Sequence, residues 1–220
     1  MQVTMYKVVE IFHSIEGEGK RAGQTASFLR LHGCNLRCSY CDTAYAIDGD
    51  YTPMSLEEIL AQLNQRRFFR VTITGGEPLN APGIQPLLEA LLEAGYEVNI
   101  ETNGSVDISP YLPSGQKLFF TMDYKLPSSG EETKMLPGNF DKLRPWDVLK
   151  FVIGSEADLA KTEEIIRGLK SSPQIHLGAV HGSFPLEGLA AAIINTKTLQ
   201  HTTLQLQFHK IIWDPSKRGV

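Results

Sequence analysis

Long apolar runs are missing from this 220-residue chain, so no segment of it reads as a membrane span. Its first ten residues, Met1 to Glu10, lack a basic flank followed by an apolar stretch and a small-residue cleavage site, which argues against an export signal and for a cytoplasmic address. Basic residues nowhere gather into blocks and the net charge is -4, which speaks against broad contact with a nucleic-acid backbone and for a small-molecule partner. Repeats and low-complexity tracts are also absent. Cysteine is scarce: Cys34, Cys38 and Cys41 are the only three. An odd set within eight residues makes a poor disulfide framework, and metal or redox chemistry is the better expectation.

The remaining composition, 42% hydrophobic and 21% charged, is ordinary for a globular protein, and the length suits one domain over residues 1–220. Short β-rich apolar runs recur at 27–33, 71–74, 98–102, 118–122, 148–153 and 174–178. Between them lie segments of helical spacing. One, at 55–63, opens with a Ser55 cap and Glu58 three residues on; 81–94 and 157–169 read similarly. This alternation predicts an α/β fold with a mostly parallel sheet and ligands at the carboxyl ends of the strands. A partial, open β/α barrel is expected, because the complete eightfold barrel typically needs roughly 250 residues. Residues 126–144, rich in Pro, Gly and charge, read as a long loop or lid.

Several motifs sit at expected strand ends. Cys34-Asn-Leu-Arg-Cys38-Ser-Tyr-Cys41 brings three soft sulfur ligands together in one loop. Three thiolates on a 4Fe-4S cube leave one iron open for a further ligand, as catalytic metal sites keep a vacant position. A Cys3His zinc site using His32 or His13, or three buried unpaired cysteines, are the alternatives; zinc modules more often pair two separated Cys-x2-Cys halves. Thr74-Gly-Gly-Glu-Pro78 comes directly after a strand, and Gly75 and Gly76 would let backbone approach a ligand, although such a turn alone is commonly structural. Glu101-Thr-Asn-Gly104 offers a carboxylate and the Asn103 amide to ribose hydroxyls or a base edge, or else forms an Asn-Gly turn. Lys125 could meet a carboxylate or belong to a solvated charge pair. Arg30, inside an apolar strand, must be paired, either with an anionic substrate group or in a structural ion pair. The run Glu16-Gly-Glu-Gly19 supplies bare backbone and acceptors suited to the donor-rich edge of a pterin or purine, or a polar turn.

The cysteine spacing, with Tyr40 just before the last cysteine, resembles the radical S-adenosylmethionine superfamily. That resemblance implies S-adenosylmethionine chelated at the open iron and cleaved reductively to a radical that abstracts substrate hydrogen. It also implies cofactor contacts from Tyr40, Gly75, Gly76, Glu101, Asn103 and Lys125. Adding Glu16-Gly-Glu-Gly19, Cys41-Asp-Thr43 and the tail Gln207-Phe-His-Lys210 with Lys217-Arg-Gly-Val220, most of the chain from Val8 onward resembles the 7-carboxy-7-deazaguanine synthase family. That likeness implies a carbon–nitrogen lyase of queuosine and 7-deazapurine biosynthesis. It would contract the ring of 6-carboxy-5,6,7,8-tetrahydropterin with loss of ammonia. The likeness further implies substrate contacts at Ile15, Glu16, Gly17, Arg30 and Thr74, with residues 1–26 as a substrate-binding extension, and Mg2+ held by Thr43. A reductant such as flavodoxin or ferredoxin and a homodimeric state complete what it implies. Members of the family often have Gln or Asn where Glu16 stands, and Ser-Pro-Lys at Asp123-Tyr-Lys125, so Lys125 alone carries over from that triplet; none carries over from Ile175 to Gly182. His209 is either substrate-facing or a surface histidine. A glycyl-radical activase shares the cysteine pattern but needs an open face for a protein substrate, and a non-enzymatic metal-binding module has no use for the glycine turns at successive strand ends.

Overall fold

The computed structural model describes residues 4–220, so the first three residues of the expected extension lie outside the described residues. Nine strands form one sheet: β1 (Tyr6–Ile15), β2 (Thr25–Leu31), β3 (Thr52–Met54), β4 (Arg70–Gly75), β5 (Glu97–Thr102), β6 (Leu118–Tyr124), β7 (Val148–Ile153), β8 (Gln174–Ala179) and β9 (Thr203–Leu204). Helices α1 (Tyr45–Asp48), α2 (Leu56–Leu63), α3 (Ile84–Glu93), α4 (Glu156–Gly168), α5 (Leu186–Asn195) and α6 (Phe208–Ile212) lie between or after them. The order across the sheet is β3-β1-β2-β4-β5-β6-β7-β8-β9. β1 runs antiparallel to both β2 and β3, whereas β2 and β4 to β9 are parallel. The expected open, mostly parallel α/β sheet is therefore present.

The central strands are where the apolar runs placed them, because strands covered on both faces need unbroken Val, Ile, Leu and Phe. Val71, Ile73, Val98, Ile100, Phe120 and Leu149 are all fully buried. Helix α2 begins as its sequence requires: the Ser55 side chain accepts from Glu58 N while Glu58 accepts from Ser55 N. Elements the pattern did not announce are β1, bulged between Val8 and Glu10; the short edge strands β3 and β9; the short helices α1 and α6; and α5, which carries Gly188. Residues 126–144 form the expected long loop, wound into three 3-10 turns, with Leu126, Met135, Phe140 and Leu143 buried.

The β1–β2 connection, residues 16–24, crosses beneath the sheet and floors its interior. Arg21 donates to the carbonyls of Val71 and Glu97 at the amino ends of β4 and β5, Lys20 Nζ donates to Trp146 O just before β7, and Gly19 N donates to Gln205 Oε1. At its centre is a buried ion pair: Arg21 Nη2 lies 2.6 Å from Glu16 Oε1, Nε lies 3.1 Å from the same atom, and Thr72 Oγ1 also donates to it. The exposures are 5% and 1%, so removing one partner strands a buried charge. Arg21→Ala is expected to lower the unfolding free energy by about 3–5 kcal/mol. Arg70→Ala breaks a pair with the 45% exposed Glu97 and a cation–π contact with the exposed Phe69 and should cost about 1–2 kcal/mol, less than Arg21→Ala. Urea titration of both variants checks the contrast.

Candidate active site

A cavity of about 250 Å³ opens where the carboxyl ends of the parallel strands converge above that floor. Into it the fold brings Ile15 and Gly17 from the floor, Arg30 from β2, Cys34, Cys38, Tyr40, Cys41 and Thr43 from the loop after β2, Thr74, Gly75 and Gly76 from β4 and its turn, Glu101 and Asn103 from β5, and Lys125 after β6. Of the residues expected at the site, only Glu16 is missing from its walls.

The three thiols are unpaired and half-buried, on a loop held from several sides. Leu36, 1% exposed, anchors its middle. Cys34 Sγ accepts from Leu36 N at 3.4 Å and from Asn103 Nδ2 at 3.6 Å, the N–H to sulfur bonds that stabilise cluster thiolates. Burial raises the Cys34 and Cys38 thiols above their ordinary range, so a bound metal must supply the charge that deprotonates them. Among the described residues no three His, Cys, Asp or Glu side chains close on a single ion. Three half-buried thiols on one loop at the cavity suit a 4Fe-4S cluster with one iron left open. Beside them, burial pushes the Tyr40 phenol up to about 12, and Thr43 Oγ1 lies 3.8 Å from Cys41 Sγ.

The glycine turn is demanded by the protein itself. A Cβ on Gly76 would fall 1.9 Å from Gly33 O, and one on Gly75, where φ is +141°, 2.0 Å from Leu31 O. Gly76 N donates to Leu31 O, and Glu77 N to Gly33 O, so this turn lies backbone to backbone against the start of the cysteine loop. Sequence reasoning passed over Glu77. It is 1% exposed and accepts from Leu79 N, Asn103 N and Thr102 Oγ1, tying the ends of β4 and β5 together. Burial pushes its carboxyl up to about 7 against those three donors.

Two of the expected residues are engaged by the protein's own groups. The Glu16 carboxylate is turned under the sheet to Arg21 and Thr72, while its backbone N–H and carbonyl are taken by Gln24 and Gly23. Glu18 is the acid of that run that lines the cavity. The Asn103 amide, expected to meet ribose hydroxyls or a base edge or to form an Asn-Gly turn, lines the cavity and donates to Cys34 Sγ and Asn35 Oδ1, while its oxygen accepts from Ser105. Of the two readings of Arg30, the structural ion pair is present. Its Nε donates to Glu10 Oε1 at 2.7 Å, while its terminal nitrogens make no hydrogen bond among the described residues.

A chain of alternating charge crosses the far wall: Lys125 Nζ lies 2.9 Å from Asp123 Oδ2, Lys150 Nζ 3.0 Å from Asp123 Oδ1 and 2.8 Å from Glu18 Oε2. Burial disfavours the Lys150 ammonium, yet Asp123 and Glu18 hold it protonated well above its ordinary range. Lys150 stands inside the apolar run of β7 and could have been flagged as Arg30 was. At the cavity mouth, Phe208 N donates to Gly17 O, the His209 ring lies against Gly17, and Lys210 Nζ is 3.0 Å from Asp42 Oδ2, so α6 forms a wall of the site.

A cysteine loop after the first parallel strand, pressed by a glycine turn from the second, defines a radical S-adenosylmethionine enzyme, and residues 29–114 match the Radical SAM superfamily model. Over its whole length the likeness is narrower. A Clostridium acetobutylicum protein named 7-carboxy-7-deazaguanine synthase is 46% identical over 98% of this chain and 99% of its own, and one of that name from Methanospirillum hungatei is 37% identical over 95% and 86%. The chain belongs to the 7-carboxy-7-deazaguanine synthase family, and is with it a lyase that uses a 4Fe-4S cluster and S-adenosylmethionine. The crystal structure of QueE from Escherichia coli shares the fold, with a TM-score of 0.72 at 24% identity over 91% of this chain and 92% of that one.

Glu101 gives the site a titration near neutrality. Burial pushes its carboxyl from 4.5 up to about 7, with Lys150 pulling the other way. A carboxyl whose folded value is raised contributes stability that is complete below about 4.5 and lost as pH rises through about 7. Glu101→Gln should therefore flatten the fall in unfolding free energy between pH 5 and pH 8 by ~1–3 kcal/mol. Equal slopes in urea titrations of variant and parent would refute this.

Proposed function

We propose that the chain converts 6-carboxy-5,6,7,8-tetrahydropterin to 7-carboxy-7-deazaguanine with loss of ammonia, in a radical S-adenosylmethionine- and Mg2+-dependent step of queuosine and 7-deazapurine biosynthesis. The observation that carries this reading is the pairing of Arg30 with Thr74. They are direct cross-strand partners on β2 and β4, both line the cavity, and the terminal guanidinium nitrogens are without a protein partner among the described residues. A substrate carboxylate fits a planar fork beside a hydroxyl, and the cysteine loop borders the same cavity.

The cysteine loop would hold a 4Fe-4S cluster and, with it, S-adenosylmethionine, which together would supply radical hydrogen-abstraction chemistry. The protein's own part is binding and orientation. Arg30 and Thr74 hold the carboxylate. The floor at Ile15 and Gly17 presents backbone to the pterin, and the Glu18 carboxylate, paired with Lys150, accepts from its donor-rich edge. Gly75, Gly76, Tyr40, Glu101 and Lys125 border the side of the cavity assigned to S-adenosylmethionine. Asn103 serves that cofactor indirectly, through Cys34. Thr43, which lines the cavity, would offer its hydroxyl to Mg2+, an ion that favours hard oxygen ligands. The floored cavity suits a small molecule rather than a protein backbone, which favours the synthase over a glycyl-radical activase. The enzyme acts as a single-domain cytoplasmic homodimer, reduced by a flavodoxin or ferredoxin.

Anaerobically reconstituted protein given 6-carboxytetrahydropterin, S-adenosylmethionine, reductant and Mg2+ should form carboxydeazaguanine and ammonia. Formation of 5'-deoxyadenosine alone would sink the assignment, and chelation of Mg2+ should lower turnover reversibly. Arg30→Gln should cost about 1.5–3 kcal/mol in kcat/KM, ~10- to 150-fold, with iron content unchanged.

A further inference from the structure

Three hydrogen bonds from chain positions about ninety residues away fasten the cysteine loop. Arg37 N donates to Glu131 Oε1 at 2.8 Å, Ser39 N to Ser129 O at 3.0 Å, and Ser39 Oγ to Ser128 O at 2.6 Å. Arg37 and Ser39 flank Cys38, so these bonds fix the backbone on both sides of one thiol. The strap is itself well held. Ser129 is 1% exposed and bonds Leu126 O and Glu131 N, while Ser128 N donates to Asp158 Oδ1 at the start of α4. Glu131 is 6% exposed, and its other oxygen lies 2.7 Å from Lys134 Nζ. Of the three bonds to the cysteine loop, that of Glu131 to Arg37 N is the one whose acceptor is a side chain, so it can be altered from the strap without rebuilding backbone.

We infer that Glu131 is a positioning residue for the iron–sulfur cluster, setting the turn between Cys34 and Cys38 by accepting the Arg37 N–H. The inference rests on the reading of the cysteine loop as a cluster site. Outer residues of this kind typically change metal affinity 10- to 100-fold when removed. Reach and charge are separable here: Glu131→Gln keeps an acceptor at the same distance without the charge, whereas Glu131→Asp keeps the charge one methylene short.

The experiment uses full-length protein with the cluster reconstituted anaerobically. It measures the rate of iron loss to a chelator, the electron paramagnetic resonance of the reduced cluster with and without S-adenosylmethionine, and thermal melting of the apoprotein. Glu131→Asp and Glu131→Ala should lose iron ~10-fold faster and show an altered spectral response to S-adenosylmethionine, while Glu131→Gln matches the parent. A lower melting temperature with unchanged iron loss and spectrum would make Glu131 merely structural and overturn the inference, as would Glu131→Gln behaving like Glu131→Ala. If Glu131→Ala does not fold, the Asp and Gln pair decides. A parent protein with no 4Fe-4S signal would refute the cluster reading itself, before any variant is compared.

Discussion

The buried Glu16–Arg21 pair is the contact on which the site depends. An open sheet of parallel strands gathers its loops at one end but leaves its interior unclosed at the other. Here the β1–β2 connection closes it, and that connection is pinned by one guanidinium that serves Glu16, Thr72 and two strand-end carbonyls. With Glu16 drawn down to Arg21, Gly17 and Glu18 are left on the cavity side. A buried pair of this kind adds little net stability relative to an apolar substitute but penalises alternatives strongly, because either partner alone is an uncompensated charge. Its effect here is to determine which residues of Glu16-Gly-Glu-Gly19 face up.

A second constraint is spacing between main chains. The glycine turn after β4 touches the backbone of Leu31 and Gly33, so the position of the cysteine loop is set by the sheet itself rather than by side chains. Glu77 extends this coupling to β5, where Asn103 reaches back to Cys34. Cysteine loop, glycine turn and Glu-Thr-Asn-Gly segment are thus one hydrogen-bonded body. Order at one strand end is transmitted to the others, which is what preorganised chemistry at a convergent site requires.

The parts legible in the sequence were those where physics restricts residue type. Central parallel strands require continuous apolar runs, and all six such runs became strands; a metal loop requires cysteine, and a close backbone approach requires glycine. β1 was illegible because its ten residues are mostly half-buried, with a bulge that breaks period two, and β9 because two residues carry no period. At the site, side-chain direction was the hidden variable. Nothing in the spacing of Glu16 and Glu18 tells which one turns under the sheet. The pairing of Glu18 with Lys150 spans 132 positions and exists only once the strands are ordered.

Charge accounting across the cavity explains why position 30 carries arginine. Lys125 and Lys150 share Asp123, Lys150 also meets Glu18, and Lys210 meets Asp42, so each cation on the walls already has a carboxylate. The charge of Asp123 is thus spent between two lysines. An anionic ligand entering the cavity would therefore be met by spare donors and not by a spare charge. A lysine at position 30 would have its single ammonium drawn to Glu10. The guanidinium gives Nε to Glu10, whose Oε1 also accepts from Tyr45 Oη, and retains its terminal nitrogens for the cavity. Fixed by that bond and flanked by the rings of Phe12 and Tyr45, it presents its remaining donors in one orientation beside Thr74, which lysine could not do.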